Sequence, residues 1–345
     1  MSDESSSFMP NLNAWTPIPP VPGRGYDLAV RDHGLATAIG LLARSLPYAM
    51  ARFAILFAWS IACIAWTAVA FGGAAWLATH VAGAFGVVWL VLCVIGVGWF
   101  WGAVLRYALH LLACGHVAVL TELIMRGKVG NGSEAMLAYG KRLVLQRFGE
   151  VNALFGLNMA VRGILNVLHR TLEGIEQALP LPGLESLSSL VMVVLRAATR
   201  YLDKVIFSYN LARADADPWA AAREGLVYYA QNARPILMTA VWIVLLDRVL
   251  TVVLWLALLI PTGLLTVHLP LAVREAGGVV TVLIALLLAA GLRAAFIKPL
   301  FLIMTMVRFH ALIEHQPINE AWNAQLDQVS DKFRSLSQRA AKANA

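Results

Sequence analysis

The stretch Asp217–Pro261, DPWAAAREGLVYYAQNARPILMTAVWIVLLDRVLTVVLWLALLIP, decides the fold. Asp217 followed by Pro218 marks a helix start. The aspartate offers a side-chain acceptor at the N-cap, and proline suits the first helical position because the N–H it lacks has no partner there. A polar, amphipathic turn or two follows, with Arg223, Glu224, Gln231, Asn232 and Arg234. From Ile236 the chain is apolar almost without a break, and Pro261 is expected to end the run. Such a run is long enough to cross the ~30 Å of hydrocarbon in a bilayer, which takes about 20 helical residues. Its one interruption is the pair Asp247-Arg248. A charge inside hydrocarbon costs at least a few kcal/mol, so such residues face a partner or a wet cavity.

Composition extends this reading to the whole chain. Of 345 residues, 59% are hydrophobic and only 14% charged, with a mean hydropathy of +0.70; soluble domains carry about a quarter charged residues. An all-α, polytopic helical integral membrane protein follows, with four clear transmembrane helices plus amphipathic cytoplasmic or interfacial helices. The net charge of +7 is spread beside apolar runs without a compact basic block. It therefore points to the lipid bilayer and its anionic headgroups as partners and away from nucleic acid. Cys63, Cys93 and Cys114 all lie in apolar segments and form no C-x-x-C pair, so they read as small buried hydrophobes.

Residues 1–26 combine a serine run with Pro10, Pro17, Pro19, Pro20 and Pro22, and read as a disordered tail. Asp3 and Glu4 stand where a cleaved export signal carries positive charge. Residues 27–125 hold an amphipathic surface helix (Leu35–Met50, broken at Pro47) and a transmembrane hairpin, Phe53–Thr79 and Gly83–Leu105. The apolar segment Tyr107–Met125 that follows is a third span, a re-entrant piece or a helix packed beneath the bundle. No Lys or Arg lies between Arg52 and Arg106, which places the N-terminus inside. Residues 126–216 form a basic amphipathic region opened by the GKVGNG turn, Gly127–Gly132. Two surface helices are expected there, Ala135–Leu179 and Leu187–Asn210, the second carrying Arg196, Arg200 and Lys204. Asn158, Arg162, Asn166 and Arg170 recur every four residues as one polar stripe, read as a solvated or headgroup-facing surface. Residues 217–316 contain a second transmembrane pair, whose last span runs from Gly278 through Leu292 and is interrupted at Arg293 and Lys298-Pro299. Residues 317–345 form a cytoplasmic amphipathic tail. Both termini are then cytoplasmic, in what is expected to be a bacterial inner (plasma) membrane.

Three stretches resemble the C-terminal half of the choline transporter-like family. They are Arg142–Leu168 (RLVLQRFGEVNALFGLNMAVRGILNVL), Ala221–Leu250 (AAREGLVYYAQNARPILMTAVWIVLLDRVL) and the last span through PLFLIMTMVRFHALIEHQ. The family's small residue, aromatic, Asn and Leu-Asp-basic-Val positions fall on Ala221, Tyr228, Asn232 and Leu246-Asp247-Arg248-Val249. Two features depart from that family: the family's Gly-Ser step is Gly149-Glu150 here, and most of its N-terminal spans are missing. The resemblance implies a transporter-like fold handling a small cationic solute such as choline or ethanolamine, and a chain with half the spans working as a homodimer.

The candidate substrate-binding residues are Asp247, Arg248, Trp242, Trp255, Tyr228 and Asn232, with Arg293 and Lys298 as counter-charges. The alternatives for Asp247 and Arg248 are a structural ion pair holding two spans together, or charges sitting near an interface. Quaternary ammonium groups bind over several aromatic faces at once; Trp99, Phe100, Trp101 and Tyr107 cluster at one span end, but aromatic residues also anchor helices at bilayer interfaces, and that reading is preferred. His110, Cys114 and His116 lack the spacing and carboxylate of a metal site, and Glu122 is expected to pair with Arg126. No phosphate loop, nucleophile elbow, zinc-protease helix or nucleotide fingerprint occurs, so no enzyme, metal or cofactor is expected. Two functions remain: a secondary carrier, and a non-transporting membrane scaffold or assembly factor binding lipid or a partner protein.

Overall fold

A computed structural model describes residues 28–100, 104–130, 134–146, 193–194, 197–213, 218–267, 277–322, 324 and 338. All regular structure among them is helical: α1 (Leu35–Arg44), α2 (Leu46–His80), α3 (Gly83–Phe100), α4 (Arg106–Arg126), α5 (Met136–Gln146), α6 (Leu202–Ala212), α7 (Pro218–Gln231), α8 (Ala233–Val267), α9 (Gly277–Leu292), a π-helical turn (Arg293–Ile297) and α10 (Lys298–Ile313). Five helical stretches are long and apolar enough to cross a membrane.

Two antiparallel hairpins dominate. At 1.5 Å per residue, the 35 residues of α2 span about 52 Å, well beyond the hydrocarbon thickness. The chain returns along it through α3 and then α4. Trp66 Nε1 donates to the Cys93 carbonyl at 3.2 Å, Trp59 stacks on Phe100 at 5.3 Å, and Tyr48 stacks on His116 at 5.1 Å. The second hairpin pairs α8, also 35 residues, with α9, the π turn and α10.

The hairpins follow one plan. Each opens with a short helix and a one-residue break (Ser45, Asn232), then a long helix with a proline in its first turn (Pro47, Pro235). Leu46 and Arg126 bound the first hairpin, and these two boundaries recur 187 positions later, at Ala233 and Ile313.

The hairpins are unevenly packed along their length. Ile64, Phe71, Trp76 and Val94 on the first, and Trp242, Val253 and Ile260 on the second, are exposed. The core lies at the open end, where α4, α6, α7 and α10 bury Leu120, Ile206, Tyr229, Phe301 and Phe309. Within its most apolar window α4 is 61% buried, against 6% for α2 and 11% for α3 and α8. Most of α4 is thus buried within the protein, and by length and composition it is also one of the five stretches that can cross a membrane. We call this packed end the head.

A strap ties the head together. The Ala29 and Val30 N–H groups donate to the Ile124 carbonyl at 3.0 and 3.1 Å, satisfying an acceptor that the end of α4 leaves open. Gly127, at φ 68°, then turns the chain out of α4, a conformation that favours glycine. Arg31 grips Glu314 through Nε at 2.7 Å and a terminal nitrogen at 2.5 Å, and the Leu28 N–H adds a bond at 3.2 Å. At the other corner Asn232 Nδ2 donates to Gln316 Oε1 at 2.6 Å and Tyr228 Oη to the Gln316 carbonyl at 2.8 Å.

Several expectations change. Pro261 does not end its helix, which continues to Val267; in hydrocarbon a proline forfeits one backbone bond, whereas a helix end would expose several. The break near residue 47 falls at Ser45, and Pro47 sits in the first turn of α2, where its missing N–H costs nothing. The helix expected on the membrane surface near Leu187–Asn210 is instead core over its described part, with Leu202, Val205, Ile206, Phe207, Ser208 and Tyr209 buried. Asn158, Arg162, Asn166 and Arg170 lie outside the described residues, as does Asp217. Glu122 does pair with Arg126, at 3.4 Å.

Two outcomes follow. A Cβ at Gly140 would collide with Tyr48 Oη and come within 2.7 Å of the Gly115 carbonyl, so Gly140→Val should destabilise the head by about 1–3 kcal/mol, read as a lowered midpoint in thermal unfolding followed by circular dichroism. The hydrogen bonds from Arg31 hold the Glu314 carboxyl below its ordinary range. A depressed folded pKa contributes stability that is present above the unfolded value of about 4.3 and is lost as pH falls through the folded one. Hydrogen-exchange protection of residues 28–34, taken relative to the intrinsic rate at each pH, should therefore fall in acid below about pH 4, and at neutral pH in Arg31→Ala.

Candidate functional site

The charged residues of the second hairpin meet where its return strand changes geometry. The π turn Arg293–Ile297 joins α9 to α10, and such turns are frequent at functional positions. It presents Arg293 to Asp247 on α8 as a bidentate pair: Nε to Oδ1 at 2.9 Å and a terminal nitrogen to Oδ2 at 2.5 Å. Asp247 is 8% exposed, while the Arg293 side chain keeps 30% of its surface open. Asp247 lies about 20 residues, or about 30 Å of helix, from the end of α8 at the hairpin tip. Exposed apolar side chains flank it on both sides along α8, Trp242 and Leu245 toward the head and Val249 and Val253 toward the hairpin tip.

Other cations gather at the same level. Phe53, at the start of the apolar part of α2, packs on Phe296 of the π turn with ring centroids 6.1 Å apart. Its neighbour Arg52 thereby joins Arg200 and Arg293 within electrostatic reach of Lys298, with Asp247 as the carboxylate among them. Tyr201, which precedes α6, completes the group; Arg200 acts on its hydroxyl most strongly, by charge and as a hydrogen-bond donor, and Asp247, Arg52 and Arg293 act on it as well. Arg52 Nε and Tyr201 Oη are buried, and neither finds an acceptor among the described residues. Arg200 is exposed and forms the rim.

The candidates named from sequence separate. Asp247 and Arg293 come together, and Lys298 stands beside them. Arg248 projects to the exposed side of α8 and does not pair with Asp247. Trp242 is 62% exposed on the outer face, while Trp255 is half-buried farther toward the hairpin tip, with an unpartnered Nε1. Tyr228 and Asn232 belong to the head, where both hold the chain after α10. These aromatic groups do not converge on Asp247. Arg52 and Arg200 were visible in the sequence only as a span boundary and part of a basic face, and Tyr201 carried no signal. The repeat supplies one: Arg106 of the first hairpin stands 187 positions before Arg293, and Ser60 the same distance before Asp247. Ser60 bonds its own helix at the Leu56 carbonyl, so the ion pair belongs to the second hairpin alone.

A second polar chain is structural. Ser208 Oγ lies 2.7 Å from His310 Nε2 and 2.8 Å from Thr121 Oγ1, linking α4, α6 and α10. His116 Nε2 meets Ser45 Oγ at 2.9 Å. Ser208 and His310 are each fully buried, which leaves a substrate no approach to them. His110 lies 3.6 Å from the Cys114 thiol, away from His116's partner Ser45. Comparison with known proteins finds no match to a family model, a curated protein or a solved structure.

Removing one partner of the ion pair leaves the other charge uncompensated in a partly dry setting. Asp247→Asn should lower stability by about 1–3 kcal/mol, discounted for the open side of Arg293. A double-mutant cycle with Arg293→Gln should show a coupling of at least about 0.5 kcal/mol, read from unfolding midpoints in detergent.

Proposed function

We propose that this chain is a membrane scaffold or assembly factor of the cytoplasmic leaflet, and not a carrier. Its two hairpins plant a helical head on the inner face of a bacterial plasma membrane, with both tips reaching the far side. The observation that carries this reading is the distribution of packing. The most apolar windows of α2, α3 and α8 are 6–11% buried, and the tight core lies at one end. A carrier surrounds its solute with converging side chains near mid-depth; here the membrane-level side chains mainly turn outward. The excess of Lys and Arg at the head end orients it toward the cytoplasm.

Carriage of choline or ethanolamine, implied by the resemblance to the choline transporter-like family, draws little from the site. A quaternary ammonium needs an open carboxylate or an aromatic cage. Asp247 is already held by both nitrogens of Arg293, and Arg52, Arg200 and Lys298 around it repel a cation.

Two measurements test the reading. Proteoliposomes carrying the wild type should take up labelled choline or ethanolamine no faster than empty liposomes, and Asp247→Asn should change nothing. Nitroxide labels at positions 94 and 253 should be accessible to oxygen dissolved in the acyl region and shielded from a water-soluble nickel chelate. Uptake abolished by Asp247→Asn, or nickel access at both labels, would return the chain to the carriers.

A further inference from the structure

We propose that the cluster of Arg52, Arg200, Tyr201, Arg293 and Lys298 is a binding site for a phosphate anion, carried by a phospholipid headgroup or by a soluble phosphate. The site stands on its own geometry and does not depend on the scaffold reading.

Charge balance is the first reason. Four cationic side chains share this place with one carboxylate, and both oxygens of that carboxylate are engaged by Arg293. Arg52, Arg200 and Lys298 make no ion pair with any described residue. Like charges held together where water is scarce repel strongly, so the cluster gains most from a multivalent acceptor. The second reason is the buried floor. Tyr201 is 5% exposed, and its hydroxyl, like Arg52 Nε, lacks an acceptor among the described residues. An unmet buried donor costs about 1–3 kcal/mol, which a bound anion recovers. The third is chemistry: a phosphate offers several strong acceptor oxygens, matching guanidinium, ammonium and hydroxyl donors that approach from different elements.

The surroundings favour the lipid source. Exposed apolar side chains of α8 border the cluster on both sides, among them Trp242, Leu245, Val249 and Val253, a surface that acyl chains would cover while a headgroup reached the cations. Arg200 is exposed at the rim, and Lys298 and Arg293 are half-buried, leaving a polar entry beside the apolar face of α2. Seating the group asks the long side chains of Arg200 and Lys298 to reorient, a motion that exposed side chains make on the picosecond-to-nanosecond scale.

The test uses full-length protein in detergent, loaded with equal phosphatidylglycerol and phosphatidylcholine, and lipid retention is read by native mass spectrometry. Wild type should retain phosphatidylglycerol about tenfold over phosphatidylcholine, the equivalent of one charge-assisted bond. Arg52→Gln and Lys298→Gln should each remove most of that preference. Tyr201→Phe keeps the ring and should reduce it about threefold or more; it decides the matter if Arg52→Gln does not fold. Arg248→Gln, one residue from Asp247 but outside the cluster, should leave the preference intact. Displacement of the retained lipid by millimolar inorganic phosphate would assign the site to a soluble anion, and retention against it would assign the site to the headgroup; both outcomes uphold the phosphate site. Equal retention of the two lipids by wild type, unchanged in Arg52→Gln and Lys298→Gln, would overturn the proposal. So would a Tyr201→Phe variant indistinguishable from wild type, or an Arg248→Gln loss as large as that of Lys298→Gln.

Discussion

A helix cannot stop inside hydrocarbon, because each end would leave carbonyls or N–H groups with nothing to bond. Much of this architecture follows from that constraint. Both long helices run 35 residues and overshoot the bilayer by roughly 20 Å. The overshooting ends, with their return partners α4 and α10, supply two walls of the head, and α6 and α7 close it. The same constraint carries the second hairpin straight through Pro261. The helices of each hairpin pack along one another, and the deepest burial lies at the packed end that the same helices build with α6 and α7.

The chain gathers its charges around the Asp247–Arg293 pair, which joins α8 to the π turn. A buried pair is weak evidence of net stabilisation, since desolvation offsets much of the Coulomb attraction. Its clearer effect here is positional: it fixes the rotation of the returning helix at the level where Phe296 meets Phe53 and where Arg52, Arg200 and Lys298 converge. The first hairpin has Ser60 and Arg106 at the corresponding places and no such clamp. Two similar halves thus carry unequal electrostatics.

The helical membrane class was legible in the runs around Val94 and Val253, because hydrocarbon length translates directly into residue count. Asp247 was legible as an anomaly for the same reason, and Arg293 stood among its expected counter-charges. The rest depended on long-range packing. Leu202–Tyr209 reads as a basic amphipathic surface, yet α4, α7 and α10 cover it, since the sequence does not say which apolar stripe meets lipid and which meets protein. Tyr201 and Arg52 are 149 positions apart, and no local pattern joins them. The repeat went unseen because it lives in helix boundaries and not in residue identity: Tyr48 stands opposite Pro235, and Ser60 opposite Asp247.

The strap at Leu28–Arg31 binds Glu314, 283 to 286 positions away. A ribosome adding roughly 5–20 residues per second takes on the order of 15–60 s to bridge that interval. For all of that time the earliest-made segment waits without its carboxylate, and the apolar flank of α4 waits for α10. Hairpin insertion can proceed at once, but closure of the head is necessarily the last event of biogenesis. Chains truncated before Glu314 would enter the bilayer and still present an unfinished, sticky surface, a natural handle for quality control.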